Sequence, residues 1–251
     1  MRAGDCTHRS KTLPICALLG VLISGAASAA DHPDLTGVWG NYRPPGQAGP
    51  TLGGAPGPPG RLPLRPEAQA MVDEYRALVA PRGDTPGAFC VGTGMPGAML
   101  STVGYPMEIV QHGDLILVVF ELHTEVRHIY LTARVAEEDL LPERNGHSVG
   151  RWEGDTLIVE TTHLKESVEQ TRYPHSDRAK IVEEYRLIEE DGHKVLTVRM
   201  TMTDPAWYTE PIKVERRWSL MPGGRLLSYD CNQTAWEDHL DRLRPERSGR
   251  R

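Results

Sequence analysis

The sequence predicts an all-β fold, an antiparallel up-and-down barrel of about 8–10 strands with one N-terminal helix. Four two-residue turn signals, at 113–114, 154–155, 191–192 and 223–224, each separate two runs rich in β-branched, aromatic or other apolar residues. Such a pattern is a strong short-range signal for a hairpin. Successive hairpins form an antiparallel meander, and a long meander closes into a barrel because closure removes its exposed edges. A β-sandwich is the alternative, since strand patterns do not specify closure.

One helix is expected over 65–80, because Pro66 suits a first helical turn and apolar residues recur at helical spacing. The preceding segment, 44–66, contains eight prolines and many glycines and is predicted to be an irregular arm. This arm and the helix are expected to cover the outside of the barrel. Strands are expected at 34–40, 106–112, 115–122, 125–131, 147–153, 156–163, 180–188, 194–203, 212–220 and 225–231.

The first 29 residues predict export. They combine a basic start, an apolar run over 15–23 and the sequence Ala27-Ser28-Ala29, which together are typical of a secretory signal peptide with its cleavage site. The apolar run is shorter than the roughly 20 residues that a membrane-spanning helix needs. We expect a periplasmic or secreted protein with signal peptide 1–29, N-terminal strand and arm 30–66, barrel domain 67–236 and charged tail 237–251.

Charge and cysteine content narrow the class of protein. Removal of the signal peptide would take away three basic residues and one acidic residue, changing the net charge from −6 to −8. Nucleic-acid binding is therefore not expected, because it depends on basic surfaces. Cys90 and Cys231 remain, and a pair of cysteines in an oxidising compartment predicts one disulfide. A catalytic thiol is the alternative.

Residues 146–150, Gly-His-Ser-Val-Gly, match the G-x-S-x-G motif of serine hydrolases. In those enzymes a helix follows the serine directly. Here the chain continues through the turn signal Gly154-Asp155 into 156–161, which is rich in β-branched residues. The motif is therefore interpreted as the first strand of a hairpin, and Ser148 is not expected to be a nucleophile.

This hairpin contains the first group of candidate catalytic residues. Period-2 alternation places His147, Arg151 and Glu153 on one face, and Trp152 and Leu157 on the other. If the charged face is outside, it is an ordinary solvated surface. If it is inside, the three side chains form a buried cluster suited to anion binding or proton transfer. Alternation alone leaves both arrangements open.

Further candidates lie at predicted strand ends, where barrels build their pockets. Glu121 follows an unusually apolar strand and is the first candidate for a general base, with Arg127 or Arg151 as the charge stabiliser. For these side chains and the turn-rich segment 173–177, a purely structural role is the competing interpretation. The remaining candidates are His128, His175 and Tyr208 for catalysis, and Phe120, Tyr130, Asp204 and Trp207 for ligand contact.

Metal and nucleotide cofactors are not expected. The sequence has no C-x₂-C, H-E-x-x-H or P-loop pattern, although its ten histidines leave open a site assembled in three dimensions.

Several motifs together resemble an uncharacterised family of exported proteobacterial proteins. The resemblance covers nearly all of the chain after residue 30, and its most specific part is the GHSVGRWEGDTLIVET run. The resemblance implies a lipocalin-like antiparallel barrel, and it does not point to a particular activity. The chain departs from the family pattern at Thr132-Ala133-Arg134, where members tend to have an Asp-Gly-Arg turn. The other motifs are at 34–39, at Cys90 with 94–96, and at 120–121, 127–130, 174–176, 204–205, 208–209 and 229–231.

Three functions remain in competition. The first is a cofactor-independent lyase, isomerase or dehydratase acting on a small apolar or aromatic molecule. The second is a non-catalytic carrier or sensor of the same ligand class, and the third is an interaction module of the cell envelope. Converging ionisable groups favour catalysis, an entirely apolar pocket favours a carrier, and the absence of a cavity favours the interaction module.

Overall fold

The computed structural model of the protein describes residues 32–42, 61–100, 104–132, 136–168, 173–230 and 236–243. Nine strands in these residues form one closed barrel, in which each strand lies next to its neighbours in the sequence and β1 pairs with β9. The predicted barrel is confirmed, and the sandwich is excluded. The strands are β1 (Gly37–Asn41), β2 (Met107–His112), β3 (Leu115–Phe120), β4 (Glu125–Tyr130), β5 (His147–Glu153), β6 (Thr156–Thr162), β7 (Lys180–Glu190), β8 (His193–Thr203) and β9 (Ile212–Leu220).

Three of the four predicted hairpin turns are confirmed, at 113–114, 154–155 and 191–192. Gly113 and Gly154 both have φ 59°, a left-handed conformation that glycine adopts without steric cost. The predicted register of the β5–β6 hairpin is also confirmed, with Glu153 opposite Thr156 and His147 opposite Thr162.

The fourth hairpin prediction, with a strand at 225–231, is wrong. Residues 221–230 contain no strand; we call them the strap. The strap is held to the barrel where Met221 N donates to Val38 O at 2.8 Å and where Leu227 N donates to Glu121 Oε2 at 2.7 Å. A tenth strand has no place beside β9, because β1 and β8 already occupy its two edges.

The prediction that all strands are antiparallel is also wrong at one position. β4 and β5 are parallel and pair at only two positions, Ile129 with Ser148 and Tyr130 with Val149. Because parallel neighbours start at the same end, the connection 131–146 returns from one end of the barrel to the other.

Strand directions give the barrel two distinct ends. The tight turns 113–114, 154–155 and 191–192 lie at one, which we call the turn end. At the opposite end, which we call the loop end, lie the connections 121–124, 163–179 and 204–211, and β4 and β5 both begin there. Consequently, the candidates Glu121, His175, Asp204, Trp207 and Tyr208, which the sequence spreads over 88 positions, all lie at one end of the barrel.

In the described part of the chain three α-helices accompany the barrel: α1 (Pro66–Val79), α2 (Gly97–Leu100) and α3 (Trp236–Leu243). The predicted helix is confirmed as α1, whereas α2 and α3 were not predicted. All four residues of α2 are buried, and three of them belong to the main core, which also contains Trp39, Phe120 and Trp218. α1 contributes Tyr75 and Val79 to a smaller core cluster with Leu240 of α3 and with Val91.

The predicted signal peptide, most of the Pro/Gly-rich arm, Cys231 and much of the charged tail lie outside the described residues. Among the helices that are described, none has the length and apolar content needed to cross a membrane.

Candidate functional site

Arg127, from β4, forms a polar network in the barrel interior and is only 1% exposed. Its Nε donates to Ser148 Oγ at 3.1 Å, and its Nη1 donates to Glu183 Oε1 at 3.1 Å and to Tyr185 Oη at 3.0 Å. Its Nη2 donates to Thr161 Oγ1 at 2.8 Å and to Glu183 Oε2. A guanidinium has five N–H groups, and these five bonds use all of them. We call these five residues the Arg127 network.

Strand alternation brings the network together, because each member occupies an inward-facing position. Ser148 lies directly opposite Thr161 across the β5–β6 pair, and their hydroxyl oxygens are 2.9 Å apart. In β7, Glu183 and Tyr185 alternate with outward-facing residues and share their face with the buried Ile181. The Tyr185 hydroxyl also donates to Glu183 Oε1 at 2.9 Å, so the two network side chains on β7 hold each other in place.

The electrostatics of the network favour a fixed ion pair. Burial acts to lower the pKa of Arg127, but Glu183 and Tyr185 together reverse that effect and raise it. Burial and the neighbouring Glu183 carboxylate raise the pKa of Tyr185. Both groups therefore keep their protons at neutral pH. Since every Arg127 N–H is already used inside the protein, this arrangement does not support the predicted role of Arg127 as charge stabiliser for a substrate.

His175 lies in the loop-end connection 163–179 and is 1% exposed. Its backbone N–H and C=O both pair with Ser167, at 3.0 and 2.9 Å. Its ring Nδ1 lies 3.0 Å from the carbonyl oxygen of Tyr173. Because a carbonyl accepts only, this contact places a proton on Nδ1 and leaves Nε2 as the acceptor in the neutral ring.

The residues on either side of His175 are also held in place. Tyr208 Oη donates to the carbonyl of Pro174 at 2.6 Å. The Asp204 carboxylate accepts from Ser176 N at 2.7 Å and from Ser176 Oγ at 2.8 Å. The same carboxylate accepts from the backbone N–H groups of residues 206 and 207, at 3.1 and 3.3 Å. Asp204 and Tyr208 thus fix the position of His175 from the connection 204–211.

The environment of His175 favours its neutral form. Burial lowers its pKa, while the carbonyl of Tyr173, the Asp204 carboxylate and the carbonyl of Lys165 act in the opposite direction. Nε2 is buried and makes no hydrogen bond within the described part of the chain. Buried polar atoms are almost always paired, so an unpaired ring nitrogen at this position is unusual.

The charged face of the β5–β6 hairpin lies outside the barrel. Arg151 and Glu153 are 61% and 55% exposed and form an ion pair with each other at 2.8 Å. His147 and His128 are also outward-facing, and Tyr130 lies between their rings at centroid distances of 5.3 and 6.1 Å. The alternative that places His147, Arg151 and Glu153 inside the barrel is therefore wrong. His128 and Tyr130 likewise lie away from the interior network.

Glu121, the first candidate base, binds the strap through Leu227 N. This contact gives the carboxylate a structural role at the outer edge of the loop end. Phe120 and Trp207 are 1% and 6% exposed and belong to the main core. Among the sequence-predicted candidates, the buried polar groups of the interior and loop end are Arg127, His175, Asp204 and Tyr208.

Glu183, Tyr185, Thr161 and Ser176 were not among the sequence-predicted candidates, and Ser148 lies on the buried face of the β5–β6 hairpin with Leu157. The alternation of β7 contained a usable signal, because Glu183 falls on the same face as the apolar Ile181. The adjacent Glu184 lies on the opposite face, and two consecutive glutamates make the alternation of this strand difficult to recognise. The Ser148 hydroxyl bonds to Arg127 and Thr161, and among the described residues it bonds to no histidine.

Cys90 is disulfide-bonded, as predicted, and its expected partner Cys231 lies outside the described residues. Within the described ranges, no three histidine, cysteine or acidic side chains come together in a way that could hold a metal ion. No family model matches this chain, and no curated protein matches it.

Proposed function

We propose that this protein is exported, binds a small apolar or aromatic molecule at the loop end and performs cofactor-independent acid/base chemistry on it, with His175 as the general base. The observation that carries the proposal is the buried Nε2 of His175, which is oriented but has no hydrogen-bond partner within the described residues. Ionisable groups taken out of water in this way reduce stability unless they are paired, and they concentrate at functional sites.

The chemistry proposed is removal of a proton from a carbon next to a carbonyl group, as in an isomerisation or elimination. The proton moves from carbon to Nε2, and the electron pair passes to the carbonyl oxygen of the substrate. The resulting imidazolium is stabilised by the Tyr173 carbonyl at Nδ1 and by the Asp204 carboxylate, the same groups that oppose the effect of burial on the pKa of His175. Tyr208 and Asp204 act as positioning residues, because their contacts fix residues 174 and 176.

Access to His175 requires movement of one wall of the site. The segment 164–168 is held against His175 by the two backbone hydrogen bonds to Ser167. Separation of Ser167 from His175 would leave the contacts of Asp204 and Tyr208 intact, because these are made from the connection 204–211. In this proposal the substrate binds when the segment opens.

Proton exchange in D₂O tests the proposal without knowledge of the product. Aryl ketones with α-protons are incubated with the protein, and loss of the α-proton signal is followed by NMR. We expect exchange faster than in buffer for at least one ketone, and a decrease of about 100- to 10,000-fold in His175→Gln, the usual contribution of a general base. His193→Gln, an exposed histidine in the β7–β8 hairpin, is the matched control and should retain full exchange.

Two results would refute catalysis by His175. One is unchanged exchange in His175→Gln. The other is saturable binding of the ketones, detected by tryptophan fluorescence, without accelerated exchange of any of them. The second result would identify the protein as a carrier.

A further inference from the structure

Arg216 and Trp218 bring a second guanidinium and an indole N–H into the barrel. They occupy alternate positions in β9 and are 8% and 0% exposed. The intervening Arg217 faces outward and pairs with Glu190. Strand alternation therefore places one cation of the Arg216-Arg217 pair inside and the other outside.

The contacts of Arg216 place its charge beside the indole. Its guanidinium carbon lies 5.0 Å from the centroid of the Trp218 ring, and its Nη2 donates to Asn41 Oδ1 at 2.8 Å. Asn41 is the cross-strand partner of Trp218 in the β1–β9 pair. The three residues thus form one compact cluster, which we call the Arg216 cluster.

Trp218 Nε1 is buried and has no acceptor within the described residues. An indole nitrogen can only donate, so it needs a carbonyl, a carboxylate or another oxygen group as partner. Buried donors are almost always paired. An indole N–H beside a guanidinium supplies both the directed donor and the positive charge that bind an oxyanion.

The Arg216 cluster lies close to the Arg127 network along the barrel wall. Tyr185 is opposite Val198, and Val198 is opposite Arg216, so these inward-facing residues lie on three successive strands. Because neighbouring strands lie about 4.8 Å apart, the backbones of Tyr185 and Arg216 are about 10 Å from each other across the sheet. A ligand held by Arg216 would therefore contact the same interior as the polar network. Asn41, the third member of the cluster, is half-buried.

We propose that the Arg216 cluster binds the carboxylate of a small aromatic carboxylic acid. The carboxylate accepts from Trp218 Nε1 and from the Arg216 guanidinium, and the aromatic ring packs against the apolar core, which includes Trp39. This inference rests on the proposed function and deepens it, because it names an aromatic carboxylate as the substrate class.

The indole N–H resonance of Trp218 reports directly on the site. It is assigned in the ¹⁵N-labelled full-length protein by comparison with Trp218→Phe, and the protein is titrated with benzoate, with its neutral analogue benzamide and with inorganic phosphate. We expect benzoate to shift this resonance saturably and benzamide and phosphate to leave it in place. Arg216→Met should weaken benzoate binding about 30-fold or more, as expected when one partner of a buried charge pair is truncated.

Two further variants separate binding from folding. Arg216→Lys keeps the charge and should bind benzoate more weakly than wild type but more tightly than Arg216→Met. Arg199→Met removes an outer-face arginine that is 62% exposed and should leave binding unchanged. Dispersion of the amide spectrum confirms that each variant is folded.

The inference is overturned if benzoate leaves the Trp218 resonance in place, if Arg216→Met and Arg216→Lys both bind like wild type, or if phosphate shifts it as strongly as benzoate. Equal shifts from phosphate would identify a general anion site. Failure here is distinguishable from failure of the proposed function, because proton exchange depends on His175 whereas this titration depends on Trp218 and Arg216.

Discussion

Replacing Arg127 by Met tests whether the interior network is a fixed ion pair. The substitution removes five hydrogen bonds and leaves the Glu183 carboxylate, which is 0% exposed, without its cation. Breaking a buried pair from one side usually reduces the free energy of unfolding by about 3–5 kcal/mol. For a chain of this size each kcal/mol corresponds to roughly 2–4 °C, so the expected decrease in Tm is about 6–20 °C.

The double variant Arg127→Met/Glu183→Gln separates the charge effect from packing. It contains no buried charge at the network, and the amide oxygen of the new glutamine can accept from Tyr185 Oη. We expect the double variant to be more stable than Arg127→Met by about 2 kcal/mol or more, because the uncompensated carboxylate is the largest unfavourable contribution in the single variant.

Urea denaturation followed by tryptophan fluorescence measures all four proteins of this cycle, with the single variant Glu183→Gln completing it. Arg151→Met is the control, because its salt bridge to Glu153 is exposed and should contribute about 1 kcal/mol or less. The interpretation is refuted if Arg127→Met loses no more stability than Arg151→Met, or if the two network substitutions are additive.

Three further substitutions test other contacts. His175→Gln should make the free energy of unfolding less dependent on pH below about 6.5. Folding lowers the pKa of His175, so the contribution of the neutral ring to stability is complete above the unfolded pKa of about 6.5 and decreases as the pH falls below it. Urea titrations at about pH 7.5 and 5 measure this difference, and an unchanged loss of stability in acid would contradict the prediction. Glu125→Ala removes an acceptor for the N–H groups of residues 93 and 94, both at 2.9 Å, and should reduce the free energy of unfolding in urea by about 2 kcal/mol; a loss below about 0.5 kcal/mol would show that this contact is not stabilising. Gly94→Ala should reduce the free energy of unfolding by about 2 kcal/mol or more, because the new Cβ would overlap the backbone oxygen of residue 144. Gly113→Ala is the control: it has open space around it and should lose roughly 1 kcal/mol for its positive φ alone. Equal losses of stability in thermal melts would contradict the steric explanation.

Local sequence patterns were sufficient to predict most of the barrel. Gly-Asp and Asp-Gly turns between alternating runs specify hairpins, because glycine permits the positive φ that these turns need. The Gly223-Gly224 signal failed for a non-local reason: pairing after β9 depends on whether a strand edge is available, and β1 had already occupied it. A turn signal describes the turn itself and carries no information about strands distant in sequence.

The candidate site was predicted less completely. Placement of Asp204, Tyr208 and His175 at strand ends followed from the element boundaries alone. The partners of Arg127 could not be deduced, because the network joins four strands whose registers are each set by long-range pairing. The same limitation applied to the β5–β6 hairpin, for which alternation separated the two faces correctly but did not specify which one faced inward.

The parallel pair β4–β5 has a consequence for the interior that follows from strand number. A closed ring in which every strand runs opposite to both neighbours requires an even number of strands, so a nine-stranded barrel with neighbours in chain order must contain a parallel pair. Here that pair makes two adjacent strands begin at the loop end, with Arg127 third in β4 and Ser148 second in β5. Ser148 lies beside Ile129, two positions along β4 from Arg127, and the long Arg127 side chain reaches the Ser148 hydroxyl at 3.1 Å. The odd number of strands thus accounts for the contact between a serine that resembles a nucleophile and the buried arginine at the centre of the network.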